Sequence, residues 1–345
     1  MQGVKLTAQE GFVLSRIVGP TSLGELVGIS GLEEEQVIAI VRRLAAEGTV
    51  DVEPPLPSLL PPPPHPSLPP LPLAPPPLPK FVACGLTDVG IARSNNEDAF
   101  RIVDMGPRGM LLVVCDGMGG ESAGEIASAL AVEVICSHML DGAGDAEPAV
   151  ALRGAVDHAN ELVTAAADDP GRHGMGTTAI AALLRGTDAF TAEVGDSRAY
   201  VLRGGALTQI TKDQTYVQVL LDQGLLAPDS VKTSVAKNVV LQAVGKAPEL
   251  VVAQRRLALR NGDLLLLCSD GLSSYVSDEE IRDVLMSSVA PDAACTELVA
   301  LANARGGHDN ITVIVAQVAD GMPPPTPSES IADTLTTLRA YALGL

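Results

Sequence analysis

The stretch Leu111–Gly120, LLVVCDGMGG, decides how the chain is read. Its first five residues are apolar and describe a short buried strand. The strand runs into Asp116, and Gly117, Met118, Gly119 and Gly120 follow. A carboxylate at a strand end in a glycine-rich turn presents hard oxygen donors, and Gly117 lets the backbone turn so that its own carbonyl faces the same point. Mg²⁺ and Mn²⁺ take ligands of this kind. The same residues fit a plain strand-to-helix turn with a capping aspartate, so the stretch alone leaves both readings open.

Outward from it, other acids keep similar company. Leu264–Ser269, LLLLCS, is a second apolar strand, and it runs into Asp270-Gly271. Asp309 follows the run RGGH, just before an apolar strand at 311–318. Glu97 and Asp98 lie in SNNED, and Asp196 lies in GDS between two short strands. Gathering such sites without counter-charge is costly. Two or three divalent cations supply that charge, and the all-oxygen donor set predicts Mg²⁺ or Mn²⁺ rather than zinc. Two such ions about 3.5–4 Å apart hold a hydroxide between them and stabilise in-line displacement at phosphorus. Arg93, four residues before Glu97, is the candidate grip for phosphate oxygens.

The ordered set Arg93-Ser94-Asn95-Asn96-Glu97-Asp98, Asp116-Gly117-Met118-Gly119-Gly120, Gly176-Thr177-Thr178, Gly195-Asp196-Ser197-Arg198, Ser269-Asp270-Gly271 and Asp309-Asn310 resembles the metal-dependent serine/threonine protein phosphatases of type 2C, the PPM family. DGMGG and Thr211-Lys212-Asp213-Gln214-Thr215 resemble the bacterial branch, and the resemblance covers about residues 81–318. It implies an α+β fold, a sandwich of two antiparallel β-sheets flanked by α-helices, with metals in a cleft at one end. It implies that Asp116 bridges two ions, that the Gly117 carbonyl binds one, and that Asp270 and Asp309 bind the second. Glu97 and Asp98 hold metal-bound waters, Arg93 binds the substrate phosphate, and Asp196 joins Asp270 at a third metal. Asp116, Asp98 and Arg93 are thus the candidate catalytic residues. One departure stands out: Met118 occupies the position where many eukaryotic members carry a histidine proposed as general acid. A metal-bound water, or less readily His308, is left to protonate the leaving oxygen.

The rest of the chain frames this region. Of 345 residues, 46% are hydrophobic and only 2% aromatic, so the core is aliphatic, and the net charge of −19 argues against nucleic acid and anionic membranes as partners. The start lacks a signal-peptide pattern, no apolar run approaches bilayer length, and the five scattered cysteines read as reduced thiols of a cytoplasmic protein. Residues 1–53 predict a small winged-helix-like domain: a capping box at Thr7–Glu10, helices to Glu47, and a short strand at 49–52. Glu33, Glu34, Glu35 and Glu47 outweigh Arg42 and Arg43 there, which favours protein contact over DNA. Residues 54–79 form a linker, fifteen of whose 26 residues are proline. Extended polyproline II would span up to roughly 80 Å, as a spacer or as a docking site.

From 80 to 320, runs of strands and runs of helices are segregated, which predicts an antiparallel sheet core with helices outside. Residues 321–345 read as a Pro-rich segment and then an amphipathic helix from Ser328 to Leu345. The segment 213–245 starts helical and turns polar. Its Lys232 and Lys237 are candidate substrate-binding residues beside the cleft, or solvated loop lysines. The expected function is hydrolysis of phosphoserine and phosphothreonine by a metal-bridging hydroxide, with kinases and their substrates as partners and a monomeric chain. The alternatives are a phosphoprotein-binding pseudophosphatase, which the intact acids oppose, and a transcriptional regulator led by residues 1–53.

Overall fold

The structure, a computed structural model, describes residues 6–53, 79–119, 123–141, 146–227, 230, 239–326 and 329–339. It divides into two units, one within Met1–Ala74 and one within Pro75–Leu345.

The first unit is three helices, α1 (Ala8–Leu14), α2 (Leu23–Ser30) and α3 (Glu34–Ala46). Thr7 and Glu10 form the predicted capping box of α1, and Ser22 and Glu25 form another on α2. Val13, Leu26, Val37 and Leu44 make its small core, and Arg43 of α3 pairs with the buried Glu10 at 2.6 Å. The strand expected at 49–52 does not form. A wing strand needs a partner, and no other segment of the unit's described residues is extended for it to pair with.

In the second unit the strands are β1 (Lys80–Asp88), β2 (Asp98–Asp104), β3 (Met110–Met118), β4 (Gly176–Thr177), β5 (Ala179–Arg185), β6 (Asp188–Val194), β7 (Arg198–Arg203), β8 (Ala206–Gln209), β9 (Ala253–Ala258), β10 (Leu264–Cys268), β11 (Ile311–Asp320) and β12 (Leu335–Arg339). The helices are α4 (Ala123–Asp141), α5 (Pro148–Ala166), α6 (Tyr216–Asp222), α7 (Asp270–Ser273), α8 (Asp278–Ser287), α9 (Pro291–Ala304) and α10 (Ile331–Thr334). Every strand pairing is antiparallel. One sheet has the order β1-β11-β10-β7-β8; the other runs β12-β9-β6-β5-β3-β2, with β4 beside β3.

Alternation along each strand sorts side chains between two faces. Leu112, Val114, Ile180 and Ala182 of one sheet meet Val201, Leu265, Leu267 and Ile314 of the other, forming the sandwich interior. Leu111, Val113 and Cys115 point the opposite way, onto Ala127, Ala131 and Ile135 of α4 and Leu152 and Val156 of α5. Tyr200, Leu266 and Val313 pack outward on Ile281 and Leu285 of α8 and Leu298 of α9. This is the predicted fold class.

Two expectations are corrected. Residues 331–339 are not one helix: a single turn, α10, passes into β12, which pairs with β9 through Leu335 opposite Leu257. The strand forms because β9 offers an open edge and Leu335 packs on the sandwich core, and this tertiary contact outweighs local periodicity. The sheet thus reaches past residue 320, the expected boundary. The second correction concerns α4, whose 19 residues are long and apolar enough, by composition, to cross a bilayer. Over half of that window is buried between sheet and α5, as in any core helix.

Candidate active site

Topology gathers the acids. β3, β6 and β10 run toward one end of the sandwich, and β2, β7 and β11 start from it. Asp116 lies near the end of β3, directly opposite Asp98 at the start of β2. Asp196 occupies the crossover from β6 to β7, Asp270 follows β10 as the first residue of α7, and Asp309 precedes β11. Like charges placed opposite each other on neighbouring strands repel, so the arrangement is not there for stability.

Hydroxyls and amides hold the frame. Thr178 Oγ1 accepts from the Asp116 N–H at 2.9 Å and shares a 2.7 Å hydrogen bond with Ser197 Oγ, tying the Asp116 strand to the Asp196 turn. Ser269 Oγ donates to Asp98 Oδ2 at 2.7 Å. The Asn310 side chain accepts from the Glu97 N–H at 2.8 Å and donates to the Val89 and Asn95 carbonyls. Gly117 and Gly271 are required for closeness rather than for a turn. A Cβ on Gly117 would collide with the Gly124 and Glu97 carbonyls, and one on Gly271 with the Asn310 carbonyl.

The electrostatics follow from this crowding. Burial, then repulsion from Asp98, Asp270, Asp196 and Asp309, pushes Asp116 well above the usual carboxylate range. Burial raises Asp98 to about 7, against a hydrogen bond from Ser269 and with repulsion from Asp270 and Asp309. Asp196 is raised to about 8 by burial, then Asp270 and Asp213; Asp270 is raised to about 6 by burial and then Asp309. Asp98 Oδ1 is buried without a hydrogen-bond partner. A buried acceptor with no donor beside four mutually repelling carboxylates fits a site built for positive charge.

Among the described residues, no three acidic, imidazole or thiol side chains close a shell by themselves. Ions that keep most of their waters and take only one or two carboxylates each fit such a set, which is the habit of Mg²⁺ and, with its oxygen donors, of Mn²⁺.

The other expected residues fall as follows. Arg93 stands at the mouth, but its Nη2 donates to Asp309 Oδ2 at 2.8 Å instead of lying open to phosphate. The Glu97 carboxylate lies against Gly124, and burial raises its pKa while Arg93 opposes the rise. His308 packs against Tyr275 at a tilt of 38°, ring centroids 5.2 Å apart. Lys232 and Lys237 lie outside the described residues.

The reading of the sequence assigned no role to the clamp beneath the Asp196 turn. Arg198 makes a two-pronged pair with Asp213 at 2.9 and 2.7 Å. The Gln214 side chain accepts from the Gly195 N–H at 2.9 Å, while the Gln214 N–H donates to the Gly195 carbonyl at 2.8 Å. Glu193 Oε1 accepts from the Lys212 N–H at 3.0 Å. The TKDQT motif was the available signal; its partners are 15 to 19 residues away.

A family model described as protein phosphatase 2C matches residues 91–300. The serine/threonine protein phosphatase PstP of Mycobacterium tuberculosis is 41% identical over 236 residues, 68% of this chain and 44% of that protein, so the chain spans under half the length of this relative. The protein phosphatase PhpP of Streptococcus pneumoniae is 37% identical over 237 residues, 68% of this chain and 96% of that protein. The crystal structure of the PstP catalytic domain in complex with two manganese ions superposes with a TM-score of 0.62 at 38% identity, covering 70% of this chain and 99% of that one.

Proposed function

The chain belongs to the protein phosphatase 2C family, and from that premise we propose that its second unit hydrolyses phosphoserine and phosphothreonine in proteins, using Mn²⁺ or Mg²⁺. The observation that carries the reading is the convergence of Asp98, Asp116, Asp196, Asp270 and Asp309 on one end of the sandwich, with Asp98 Oδ1 left unpartnered. Asp116, the Gly117 carbonyl, Asp270 and Asp309 are the proposed ligands of a cation pair, Asp196 adds a further one, and Asp98 and Glu97 orient coordinated waters. When bound, the cations supply an activated water and the positive charge that stabilises in-line displacement at phosphorus.

The chain's own residues do the rest. Thr178 and Ser197 keep Asp116 and Asp196 at fixed separation. Arg93 exchanges Asp309 for two oxygens of the arriving phosphate, a geometry that the planar guanidinium favours. Phosphorylated proteins, serine/threonine kinases among them, are the proposed substrates. The test is hydrolysis of p-nitrophenyl phosphate and of a phosphothreonine protein by the full chain. Turnover of both with Mn²⁺ and loss in EDTA are expected; full activity in EDTA, or phosphoprotein binding without turnover in Mn²⁺, would overturn the reading.

A further inference from the structure

A second constellation lies on the helical face of the unit, apart from the acid cluster. His138 of α4 and His158 of α5 bring their Nδ1 atoms to 3.4 Å, with ring centroids 5.6 Å apart and planes at 74°. Both line a depression of about 450 Å³ together with Glu133, Ser137, Asp141 and Leu162. His138 is fifteen residues along α4 from Ala123, so the pair sits about 22 Å down the helix from the turn that carries Gly117.

The local build favours this approach. Gly154 lies in the interior of α5, where glycine is a poor helix former. A Cβ there would stand 3.4 Å from His138 Nε2, an ordinary van der Waals contact, so the imidazole rests against α5 at this position whether or not a methyl is present. His158 is one turn beyond Gly154 on the same helix face. Of the flanking charges, Glu133 is held by Arg101 at 2.6 Å, and Asp157 by Arg153 at 3.1 Å. Asp141, one turn after His138, completes the acidic rim of the depression.

We propose that His138 and His158 form a binding site for a late first-row divalent cation of the zinc or copper class, clipping α4 to α5. The spacing is that of two ligands on one ion: metal–nitrogen bonds of about 2.0–2.1 Å at a tetrahedral centre place the nitrogens about 3.3–3.4 Å apart. Neutral imidazole is the preferred donor for Zn²⁺, Cu²⁺ and Ni²⁺, whereas the carboxylate cluster suits Mg²⁺ and Mn²⁺, so the two sites sort different ions. Waters complete the shell, since among the described residues no third acidic, imidazole or thiol side chain closes it. The chain's charge of −19 draws cations to either site.

The test uses the full chain saturated with Mg²⁺, which occupies the carboxylate cluster and is silent in electron paramagnetic resonance, and adds one equivalent of Cu²⁺. The expected spectrum carries nitrogen splitting from two imidazoles. His138→Gln and His158→Gln each remove one nitrogen and weaken copper binding at least tenfold, while p-nitrophenyl phosphate hydrolysis in Mg²⁺ stays at the wild-type rate. Zn²⁺ in the same Mg²⁺ buffer raises the melting temperature of the wild type but of neither histidine variant. A wild-type spectrum of hydrated copper reduces the contact to an imidazole–imidazole hydrogen bond and overturns the proposal, as does either histidine variant with an unchanged spectrum and affinity.

Discussion

Strands β7 and β10 lie side by side, and their two ends handle buried charge in opposite ways. At one end Arg203 closes β7 and Asp263 precedes β10. Both are almost wholly buried, and the guanidinium donates to the two Asp263 oxygens at 2.9 and 2.6 Å, to Thr334 Oγ1 at 2.7 Å and to the Ala258 carbonyl at 2.8 Å. At the other end Asp196 and Asp270 face each other and three more acids. The first end is compensated within the chain; the second is compensated only by what it binds. Where the protein needs stability it pairs charges completely, and where it needs chemistry it leaves them incomplete.

Asp116→Asn probes the incomplete end and has the largest expected effect. Turnover should fall by about 10³-fold or more, since a charge facing the cations is lost without change of shape. With one like charge fewer, the metal-free variant should melt no lower than the wild type; a lower melting temperature in EDTA would break the contrast. At the complete end, Arg203→Met strands the Asp263 carboxylate and should cost about 3–5 kcal/mol in urea unfolding. The Mn²⁺ requirement should persist in the fraction that folds, and an unfolding midpoint equal to the wild type would show that the pair is dispensable.

Glu193 lies between these extremes. It is buried in β6 and raised to about 8 by burial, with the Lys212 N–H and Arg255 opposing, and its Oε2 has no partner. Between its ordinary value of 4.5 and about 8 the folded chain holds this proton and the unfolded chain does not, so stability falls as pH rises through that window. Glu193→Gln keeps an acceptor for Lys212 and removes the titration. It should be the more stable protein at pH 8, by on the order of 3 kcal/mol, and lose that advantage toward pH 4.5. A difference that does not vary with pH would dissociate Glu193 from the effect. The smallest change expected is from Arg93→Ala, about a tenfold rise in KM at nearly constant kcat. Unchanged KM and kcat would leave the Asp309 pair as Arg93's whole role.

Legibility in the sequence followed locality. Asp116, Asp270 and Asp309 stand beside glycine or asparagine at strand ends, where a few residues carry both the strand and the turn, and the structure brings them together. The short apolar runs of β5, β6 and β7, set apart by Gly and Asp, were equally plain. LTTLR, by contrast, is short and polar, and only the open edge of β9 and the Leu257 contact make it a strand. The Arg198–Asp213 and Glu193–Lys212 links were illegible because a side chain does not announce a partner 15 or 19 residues away. Arg93 was read by its chemistry, but its pairing with Asp309 depends on two loops meeting from 216 residues apart.

The strand β12 bears on where this chain can be shortened. The family match ends at residue 300, and a fragment trimmed to the boundary expected from the sequence, residue 320, looks adequate on paper. Such a fragment would take Thr334 from Arg203, Glu329 from Arg260 and Leu335 from Leu257, and it would bare the backbone edge of β9. An unpaired edge next to a newly wetted ion pair invites association between copies. A soluble, assayable fragment should therefore run through Arg339, and poor behaviour of shorter ones would be a fault of the scissors rather than of the active site.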